Sequence, residues 1–378
     1  MKVLISCGGT GGHINPGLAI ADIIKSKYPD TEFLFAGTPK GMESKLVPQA
    51  GYKMEPIKVA GFQRSLSLEN IGRNAKAVAY LITSGKRAKE IITGFKPDIA
   101  IGTGGYAAGP VIRKAAKMGI PTAIHEQNAY PGVTNRLLSK EVDYVMLTVK
   151  EALDFMDKSR FEYSVTGLPV RSSINNKLTK AEARKKLGFN DDFTILSFGG
   201  SLGAGCINET MTEAIKWHQS KGLAINHIHG YGGMGKDTFP QAMKAAGIPL
   251  KSNRLRITEY ITDMDVCLAA ADLVVCRSGA STLAELEAAG KASILIPSPI
   301  VAGNHQYHNA MVLGKAGAAE VIEQKDASPE RIISEIEGLY NNKDKVEIMS
   351  ASAKGLHLTD TNERILAVIE KLLNKKTQ

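Results

Sequence analysis

Ile5-Ser6-Cys7-Gly8-Gly9-Thr10-Gly11-Gly12-His13 is the segment that most clearly indicates the fold of the N-terminal half. It follows a short apolar run, Lys2–Ile5, with the length and β-branched character of a strand, and it precedes Leu18–Ile24, which has a helical pattern. A strand, a glycine loop and a helix in this order aim backbone N–H groups and the positive end of a helix dipole at an anion. Glycine suits such a loop because a side chain would hold the backbone away from a phosphate. His13 closes the loop, where its imidazole can reach a molecule held there.

The same pattern returns in the second half of the chain. Leu196-Ser197-Phe198-Gly199-Gly200-Ser201 lines up with Ile5-Ser6-Cys7-Gly8-Gly9-Thr10, follows an apolar strand and leads into a predicted helix. Two halves of similar size, each opening on a glycine loop, predict two nucleotide-binding-type domains. A cleft between them would hold two ligands, at least one of them a phosphate ester.

Apolar runs of strand length alternate with helical patterns along almost the whole chain, which predicts two parallel, doubly wound sheets with crossover helices. The predicted strands are Lys2–Ser6, Glu32–Ala36, Asp98–Ile101, Thr122–His125, Tyr144–Leu147, Tyr163–Thr166, Phe193–Phe198, Ala224–His229, Arg254–Thr258, Leu273–Cys276, Ser293–Ile296 and Ala319–Ile322. We place the linker near Pro169–Ser173. The last predicted helix, Thr361–Leu373, has an apolar stripe, and its periodicity does not say on which domain it packs.

Length and composition are those of a two-domain globular protein. The chain has 378 residues, of which 43% are apolar and 22% charged. No apolar run approaches the ~18 residues that span a bilayer, and the N-terminus has no signal-peptide pattern. We therefore expect a cytoplasmic protein. The four cysteines lack metal-site spacing, and we interpret them as reduced and mostly buried.

A formal charge of +9 indicates a polyanionic partner, and nucleic acid, an anionic membrane face and a phosphorylated substrate all fit. Aromatic residues make up only 6% and do not interleave with basic clusters, which disfavours single-stranded nucleic acid. The segment Phe62–Lys89 is basic and amphipathic. It suits the face of an anionic membrane, and equally a core-packing helix with a solvated basic face.

Two familiar phosphate-binding fingerprints fail on single residues. A dinucleotide fingerprint starting at Gly9 would need glycine where Ile14 stands, and the next strand ends at Gly37 without an acidic residue for the ribose. The loop Gly230–Asp237 nearly matches that of the NTPases, but Asp237 replaces the Ser or Thr that binds magnesium. Neither a dinucleotide site nor an NTPase is predicted.

Two later segments carry polar groups suited to a sugar nucleotide. Arg277–Glu285 starts a predicted helix with small residues and hydroxyls, so its amides can hold a phosphate. Glu285, about one turn in, could accept two sugar hydroxyls or serve the helix dipole. After Pro297-Ser298-Pro299, the polar residues His305, Gln306, His308 and Asn309 suit the recognition of sugar hydroxyls. A zinc site there is disfavoured, because no carboxylate or cysteine lies close in sequence.

Together these motifs resemble, in order and spacing, the MurG family, the UDP-N-acetylglucosamine:lipid I N-acetylglucosaminyltransferases of bacterial peptidoglycan synthesis. The resemblance runs from near Met1 to about residue 320. It rests on Gly8–His13, Gly102–Tyr106, His125–Asn128, Gly199–Ala204, Glu259–Met264, Arg277–Glu285 and His305–Ala310.

The resemblance implies an α/β fold of GT-B type, with two Rossmann-like doubly wound parallel-sheet domains facing a central cleft. Residues 1–170, with a returning C-terminal helix in 357–378, would face the acceptor and the membrane. Residues 171–356 would bind the UDP-sugar. The implied enzyme is an inverting hexosyltransferase that moves N-acetylglucosamine from UDP-N-acetylglucosamine to the muramoyl sugar of lipid I. The product, lipid II, serves cell-wall biogenesis, cell shape and cell division.

The resemblance also assigns roles to individual residues. His13 would be the catalytic base, with Asn128 positioning the acceptor. Acceptor-binding residues would be Gly8, Gly9, Gly104, Gly105 and Tyr106. Donor-binding residues would be Thr10, Gly11, Gly12, Asn128, Arg171, Ser201, Ile261, Ala280, Ser281, Thr282, Glu285, His305 and Gln306.

We expect no metal site and no tightly bound cofactor, while a soluble Mg²⁺ ion is allowed. The implied partners are UDP-N-acetylglucosamine, undecaprenyl-linked lipid I, the anionic inner leaflet of the membrane, and proteins of cell-wall synthesis or division. No nucleic acid is expected. The implied location is peripheral, on the cytoplasmic face of the bacterial cell membrane.

The predicted chemistry does not depend on the family name. No Asp-x-Asp pair sits where a metal could stabilise departing UDP, so amides, Arg171 and a helix N-terminus must do so. Imidazole suits the base that the acceptor hydroxyl needs. The alternatives are a UDP-N-acetylglucosamine 2-epimerase, another GT-B glycolipid glycosyltransferase, or a non-catalytic polyanion-binding protein.

Overall fold

The computed structural model describes residues 1–59, 83–171, 174 and 178–376. This part of the chain forms two compact units. The first contains Met1–Pro169 together with Leu358–Gln378, and the second contains Val170–His357. Each unit has its own parallel sheet and its own apolar core.

The first unit is a Rossmann-like layer structure. Its strands are β1 (Lys2–Cys7), β2 (Glu32–Gly37), β3 (Lys53–Pro56), β4 (Ile99–Gly104), β5 (Thr122–Glu126), β6 (Tyr144–Leu147) and β7 (Glu162–Val165). Its helices are α1 (Gly11–Lys27), α2 (Glu43–Gln49), α3 (residues 83–95), α4 (Ala108–Lys117), α5 (Val133–Leu138), two 3-10 helices (Lys150–Phe155 and Lys158–Arg160) and the C-terminal helix (Thr361–Lys376). Within the described residues the seven strands are all parallel, in the order β3-β2-β1-β4-β5-β6-β7.

The second unit repeats this plan. Its strands are β8 (Phe193–Phe198), β9 (Ile225–Gly230), β10 (Leu255–Thr258), β11 (Leu273–Cys276), β12 (Ala292–Leu295) and β13 (Ala319–Val321). Its helices are α6 (Lys180–Leu187), α7 (Gly205–Ser220), α8 (Phe239–Ala245), α9 (Met264–Ala270), α10 (Ala280–Ala289), α11 (His305–Lys315), α12 (Pro329–Tyr340), α13 (Lys343–Leu356) and three 3-10 turns (Gly233–Gly235, Ala302–Asn304 and Gln324–Asp326). The described strands are parallel, in the order β10-β9-β8-β11-β12-β13.

Local sequence explains the main elements. The central strands β8 and β11 are buried along their whole length, as expected for parallel strands covered by helices on both faces. Helix α6 begins with a reciprocal capping box between Thr179 and Glu182, and it ends at Gly188, whose φ of 75° suits glycine. The apolar stripe of the C-terminal helix, including Ile365, is buried in the core of the first unit against residues of α1.

The sequence predicted twelve of the strands with ends displaced by at most a few residues, and it missed β3. Lys53-Met54-Glu55-Pro56 has one apolar residue and a proline, so it lacks the pattern of a buried strand. It lies at the edge of its sheet, where a proline is tolerated. The prediction that the cysteines are unpaired and mostly buried is confirmed: all four are free, and three are buried.

Most of the basic segment Phe62–Lys89 lies outside the described residues. In its described part, Arg87 on α3 forms an ion pair with Glu55 on β3 and a longer one with Glu90. Among the residues that the structure describes, we find no helix of sufficient length and apolar character to cross a membrane.

Candidate active site

The predicted site residues of the first unit meet at one edge of its sheet. Gly8 follows β1, Gly105 follows β4, and Asn128 follows β5. The strand order reverses between β1 and β4, and ligands of open α/β sheets bind outside the carboxyl ends of the strands at such a point. The topology therefore places both N-terminal glycine loops where a ligand is expected.

The two loops touch through their backbones. A Cβ atom added to Gly105 would lie 2.1 Å from the carbonyl oxygen of Gly8, and the φ of Gly105 is 81°. Both the close approach and the backbone conformation therefore require glycine. Tyr106, the next residue, is 63% exposed at the start of the connection to α4.

Gly105→Ala is expected to destabilise the first unit more than Gly119→Ala and to reduce activity. Both glycines have positive φ, so each substitution costs about 1 kcal/mol of backbone strain. A Cβ at Gly119 meets nothing within 4 Å, whereas at Gly105 it displaces the Gly8 loop, for about 1–3 kcal/mol more. Urea unfolding of the two variants measures the difference. Equal destabilisation would contradict the need for close loop contact.

A buried carboxylate, which sequence reasoning missed, organises the first glycine loop. Glu43 on α2 is fully buried and accepts hydrogen bonds from the Gly9 amide at 3.1 Å, the Thr38 amide at 2.8 Å and the Thr38 hydroxyl at 2.6 Å. Burial opposes ionisation, but these hydrogen bonds hold the pKa of Glu43 below its usual value. The Gly9 N–H therefore donates to Glu43, although the sequence analysis assigned Gly9 to the binding of an anionic acceptor.

The first-turn amides of α1, which follow Gly9, remain available to an anion. Thr10 precedes the helix in an extended conformation, and in this described segment its side chain makes no capping hydrogen bond. The first turn, which includes Gly11 and Gly12, contains no acidic residue. Backbone N–H groups in the first turn of a helix have no partner within the helix. The amides that follow Gly9 are therefore the ones suited to a phosphate group.

His13 lies beside the second loop. A Cβ on Gly104 would lie 2.7 Å from His13 Nδ1, so the ring occupies the space that a side chain there would take. The Thr103 hydroxyl donates to the His13 carbonyl at 2.7 Å, and His13 Nδ1 lies 3.1 Å from Gln127 Oε1. The β4 and β5 strand ends thus hold both the backbone and the ring of His13.

Asn128 is anchored by a second buried carboxylate. Glu126 accepts hydrogen bonds from the Asn128 backbone amide at 2.9 Å and side-chain amide at 3.0 Å. Its other oxygen accepts from the Gly132 amide and from Asn135 Nδ2. Glu126 is 1% exposed, so this cluster is a fixed part of the loop after β5. Glu126 therefore fixes Asn128 directly after Gln127, the residue that contacts His13.

In the second unit the glycine loop after β8 packs against the loop Gly230–Asp237. A Cβ on Gly203 would lie 2.3 Å from the Tyr231 carbonyl oxygen, and the Met234 amide donates to the Leu202 carbonyl at 2.9 Å. The glycines that resemble an NTPase loop therefore allow the two loops of this unit to pack closely through their backbones. Ser201, predicted to contact the donor, is exposed at the tip of the loop after β8.

Arg171 and Glu285, far apart in sequence, form an ion pair. Arg171 Nε and Nη2 lie 2.8 and 2.7 Å from Glu285 Oε1. Burial raises the pKa of the Glu285 carboxyl, and Arg171 opposes that shift. The pair stands near the start of α10, where Gly279 precedes the first-turn residues Ala280, Ser281 and Thr282. A guanidinium and helix amides in one unit suit a diphosphate.

The remaining predicted donor residues of the second unit lie at the same sheet edge. The Gln306 carbonyl accepts from the Ser278 hydroxyl at 2.8 Å, and Gln306 Oε1 accepts from the Ser298 amide at 2.9 Å. His305 Nδ1 lies 2.9 Å from the Ala302 carbonyl. Ile261 follows β10, is 6% exposed and packs over Gly230. These contacts tie the start of α11 to the loops after β11 and β12.

Sequence reasoning gave the supporting residues no role of their own, although Gln127 and Arg277 lie within the motifs that it quoted. Besides Glu43 and Gln127, Arg277 donates to the Ile296 and Pro297 carbonyls and to Gln324 Oε1, which shapes the loop after β12. Arg277 directly follows a predicted strand, which was a usable signal, whereas Glu43 had none. Among the described residues, no group of three or more His, Cys, Asp or Glu side chains could hold a metal ion.

Comparison with known proteins shows the family. The glycosyltransferase family 28 N-terminal domain matches residues 3–147, and the C-terminal domain of the same family matches residues 194–365. A UDP-N-acetylglucosamine–N-acetylmuramyl-(pentapeptide) pyrophosphoryl-undecaprenol N-acetylglucosamine transferase of Acetivibrio thermocellus is 47% identical, over 100% of this chain and 99% of the relative.

Solved structures agree with this. The crystal structure of Acinetobacter baumannii MurG matches with a TM-score of 0.77 and 28% identity, over 98% of this chain and 99% of that one. A UDP-N-acetylglucosamine 2-epimerase matches with a TM-score of 0.60 and 14% identity, over 97% and 94% of the two chains, which shows a shared fold alone. The fold is of the predicted GT-B type. Identity along its full length shows that the chain belongs to the MurG family of glycosyltransferase family 28.

Proposed function

We propose that this protein transfers N-acetylglucosamine from UDP-N-acetylglucosamine to the muramoyl sugar of undecaprenyl-diphosphate-linked lipid I, with inversion at the anomeric carbon. The observation that carries the proposal is the arrangement at the first sheet edge: an imidazole beside two contacting glycine loops and a helix N-terminus. That arrangement offers a base next to amides that suit a diphosphate. Membership of the MurG family supplies the substrates, because the Acetivibrio thermocellus relative is named for them.

The predicted acceptor domain, residues 1–170 with 357–378, takes the acceptor in this proposal, and it corresponds to the first unit, Met1–Pro169 with Leu358–Gln378. Gly8, Gly9, Gly104, Gly105 and Tyr106 lie around the acceptor diphosphate, with the Gly9 amide donating to Glu43 and so shaping the loop. Asn128, held by Glu126, positions the acceptor sugar. The exposed ring of Tyr106 offers an apolar face beside the loops.

The predicted donor domain, residues 171–356, takes the donor, and it corresponds to the second unit, Val170–His357. First-turn amides of α10 and the guanidinium of Arg171 stabilise the diphosphate of UDP, and Ser201 adds a hydroxyl. Glu285 accepts the ribose hydroxyls. The remaining donor contacts that the proposal places in this unit are Ile261, His305 and Gln306.

The reaction is a single in-line displacement. The acceptor hydroxyl gives its proton to His13 Nε2 while its oxygen forms a bond to the anomeric carbon. The bond from that carbon to UDP breaks, and its electron pair leaves with the diphosphate. Amides and Arg171 stabilise the developing charge without a bound metal, which is electrostatic catalysis by preorganised groups. No covalent enzyme intermediate forms.

The lipid acceptor sets the location in this proposal. A peripheral protein on the cytoplasmic face of the membrane meets the diphosphate of lipid I at the anionic inner leaflet, and the +9 charge favours that approach. Proteins of cell-wall synthesis or division would act on the same lipid. No tightly bound cofactor takes part, and soluble Mg²⁺ is allowed but has no assigned residue.

Transfer of labelled N-acetylglucosamine from UDP onto a lipid I analogue tests the function. We expect UDP release that depends on the acceptor, together with a labelled disaccharide lipid. A parallel reaction without acceptor separates the epimerase alternative, because an epimerase would isomerise the sugar there. Isomerisation without acceptor, or no transfer with it, would overturn the proposal.

A further inference from the structure

A buried chain of hydrogen bonds supports the His13 ring from behind. It runs from the carbonyl of Gly167 through His125 and Gln127 to His13. His125 is fully buried, and Gln127 is 3% exposed. All four residues belong to the first unit. These hydrogen bonds end at His13 Nδ1, which leaves the other ring nitrogen, Nε2, outside them.

The position of each proton follows from the Gly167 end. A carbonyl oxygen only accepts, so His125 Nε2, which lies 3.0 Å from the Gly167 oxygen, carries a hydrogen. Burial lowers the pKa of His125 to about 4, although the hydrogen bond to Gly167 opposes this, so the ring is neutral near pH 7. A neutral imidazole has one N–H, which leaves a lone pair on His125 Nδ1.

That lone pair determines how the Gln127 amide is oriented. Gln127 Nε2 lies 3.1 Å from His125 Nδ1 and 2.9 Å from the His125 carbonyl oxygen, so it donates to two acceptors. The opposite orientation would set the amide oxygen against both acceptors and leave them without a donor. Gln127 Oε1 therefore faces His13 Nδ1, at 3.1 Å, and accepts its hydrogen.

We propose that Gln127 is a positioning residue that holds His13 in the tautomer with hydrogen on Nδ1, which keeps the lone pair on Nε2. The inference rests on the proposed function, in which Nε2 takes the proton of the acceptor hydroxyl. A base in the other tautomer would present an N–H to that hydroxyl and could not accept its proton. Gln127 does this with a neutral amide, so no second charge is buried beside the base.

The test compares two variants. Gln127→Met is similar in size but cannot donate and accepts only weakly. Gln127→Glu, protonated at this buried position, keeps an oxygen opposite His13 Nδ1 and a hydroxyl that can donate to His125 Nδ1. We expect Gln127→Met to lower kcat by about 10–100-fold, the usual cost of losing the orienting partner of a metal-binding histidine, with KM for UDP-N-acetylglucosamine unchanged. Gln127→Glu should recover most of kcat. A purely structural role would give the two variants the same loss.

A second measurement does not depend on turnover. Long-range ¹H–¹⁵N spectra of protein labelled at its histidines report which ring nitrogen carries the hydrogen, and His13→Gln assigns the His13 signals. The wild type should show hydrogen on Nδ1, Gln127→Met should lose this preference, and Ser139→Ala, another buried hydrogen-bonded site in the first unit, should keep it. An Nε2–H tautomer in the wild type, or an unchanged tautomer in Gln127→Met, would overturn the inference.

The two measurements keep the inference separate from the proposed function. If the tautomer shifts as expected but no sugar is transferred to lipid I, the positioning role stands and the proposed reaction fails. If sugar is transferred and the tautomer of Gln127→Met is unchanged, the reaction stands and the positioning role fails.

Discussion

His13→Ala is expected to lower kcat for transfer to the lipid acceptor by about 10²–10⁴-fold, the usual contribution of a general base. The imidazole lies beside the Gly104 backbone with Nδ1 3.1 Å from Gln127 Oε1, which leaves Nε2 to accept the proton. Binding of UDP-N-acetylglucosamine should be nearly unchanged, since the proposed diphosphate contacts of the donor are those of Arg171 and α10. Initial rates at saturating substrates, with donor binding measured by calorimetry, check both statements.

His357→Ala is the matched control for this variant. His357 lies just after α13, in the second unit and outside the candidate site, so its loss should leave kcat unchanged. Near-normal turnover of His13→Ala with intact donor binding would remove His13 from the mechanism.

Acidification is expected to unfold the second unit well before the carboxylates of an ordinary domain would do so. A connected row of buried polar side chains lies on β8, β9 and α7. His218 Nε2 lies 3.2 Å from His227 Nδ1, and the Ser197 hydroxyl lies 2.9 Å from His227 Nε2 and 2.8 Å from His229 Nδ1. His229 also stacks on Phe239, with ring centroids 4.4 Å apart. Each imidazole is fully buried.

Burial keeps these rings neutral in the folded protein. It lowers the pKa of His218 to about 4 and of His229 to about 3, and together with the two neighbouring histidines it lowers the pKa of His227 well below its usual value. In the unfolded chain a histidine titrates near pH 6.5. Below that pH the unfolded state therefore binds more protons, and stability falls as the pH drops from about 6.5 towards 4.

The expected loss is large. At about pH 5 each neutral buried imidazole costs about 2 kcal/mol of stability, so three cost about 6 kcal/mol, against a typical total of about 5–15 kcal/mol. Trp217, the single tryptophan of the chain, precedes His218 on α7 and reports on this unit by fluorescence. Urea unfolding followed at Trp217 should show a steep fall in midpoint between about pH 7 and pH 5.

His218→Gln provides the matched variant. A glutamine amide can still donate to His227 Nδ1 from the position of His218 Nε2, but it does not titrate. We expect its stability to depend less steeply on pH, by about one proton. A midpoint that is flat across this range in the wild type, or an equal slope in the variant, would contradict the assignment of acid sensitivity to these rings.

Most of the fold could be predicted from local pattern because parallel strands buried on both faces are continuous apolar runs. Val274 and its neighbours in β11 carry that signal without interruption. The edge strand β3 was not predicted because half of its residues are charged. Its pairing with β2 depends on a partner elsewhere in the chain. The same holds for the candidate site. Its glycine loops can be predicted from residue types, whereas the side chains that hold these loops cannot.

Residue patterns alone predicted the two-domain α/β architecture, the glycine loops at the strand ends and the presence of a histidine in the first of them. These depend on short-range patterns of burial and backbone conformation, which residue types reveal directly. Three contacts depend instead on how distant segments pack: Glu43 accepts from the Gly9 amide, Gln127 faces His13, and Arg171 pairs with Glu285. The last two contacts each join residues 114 positions apart, and such pairs are set by how strands and helices pack, which no local pattern records.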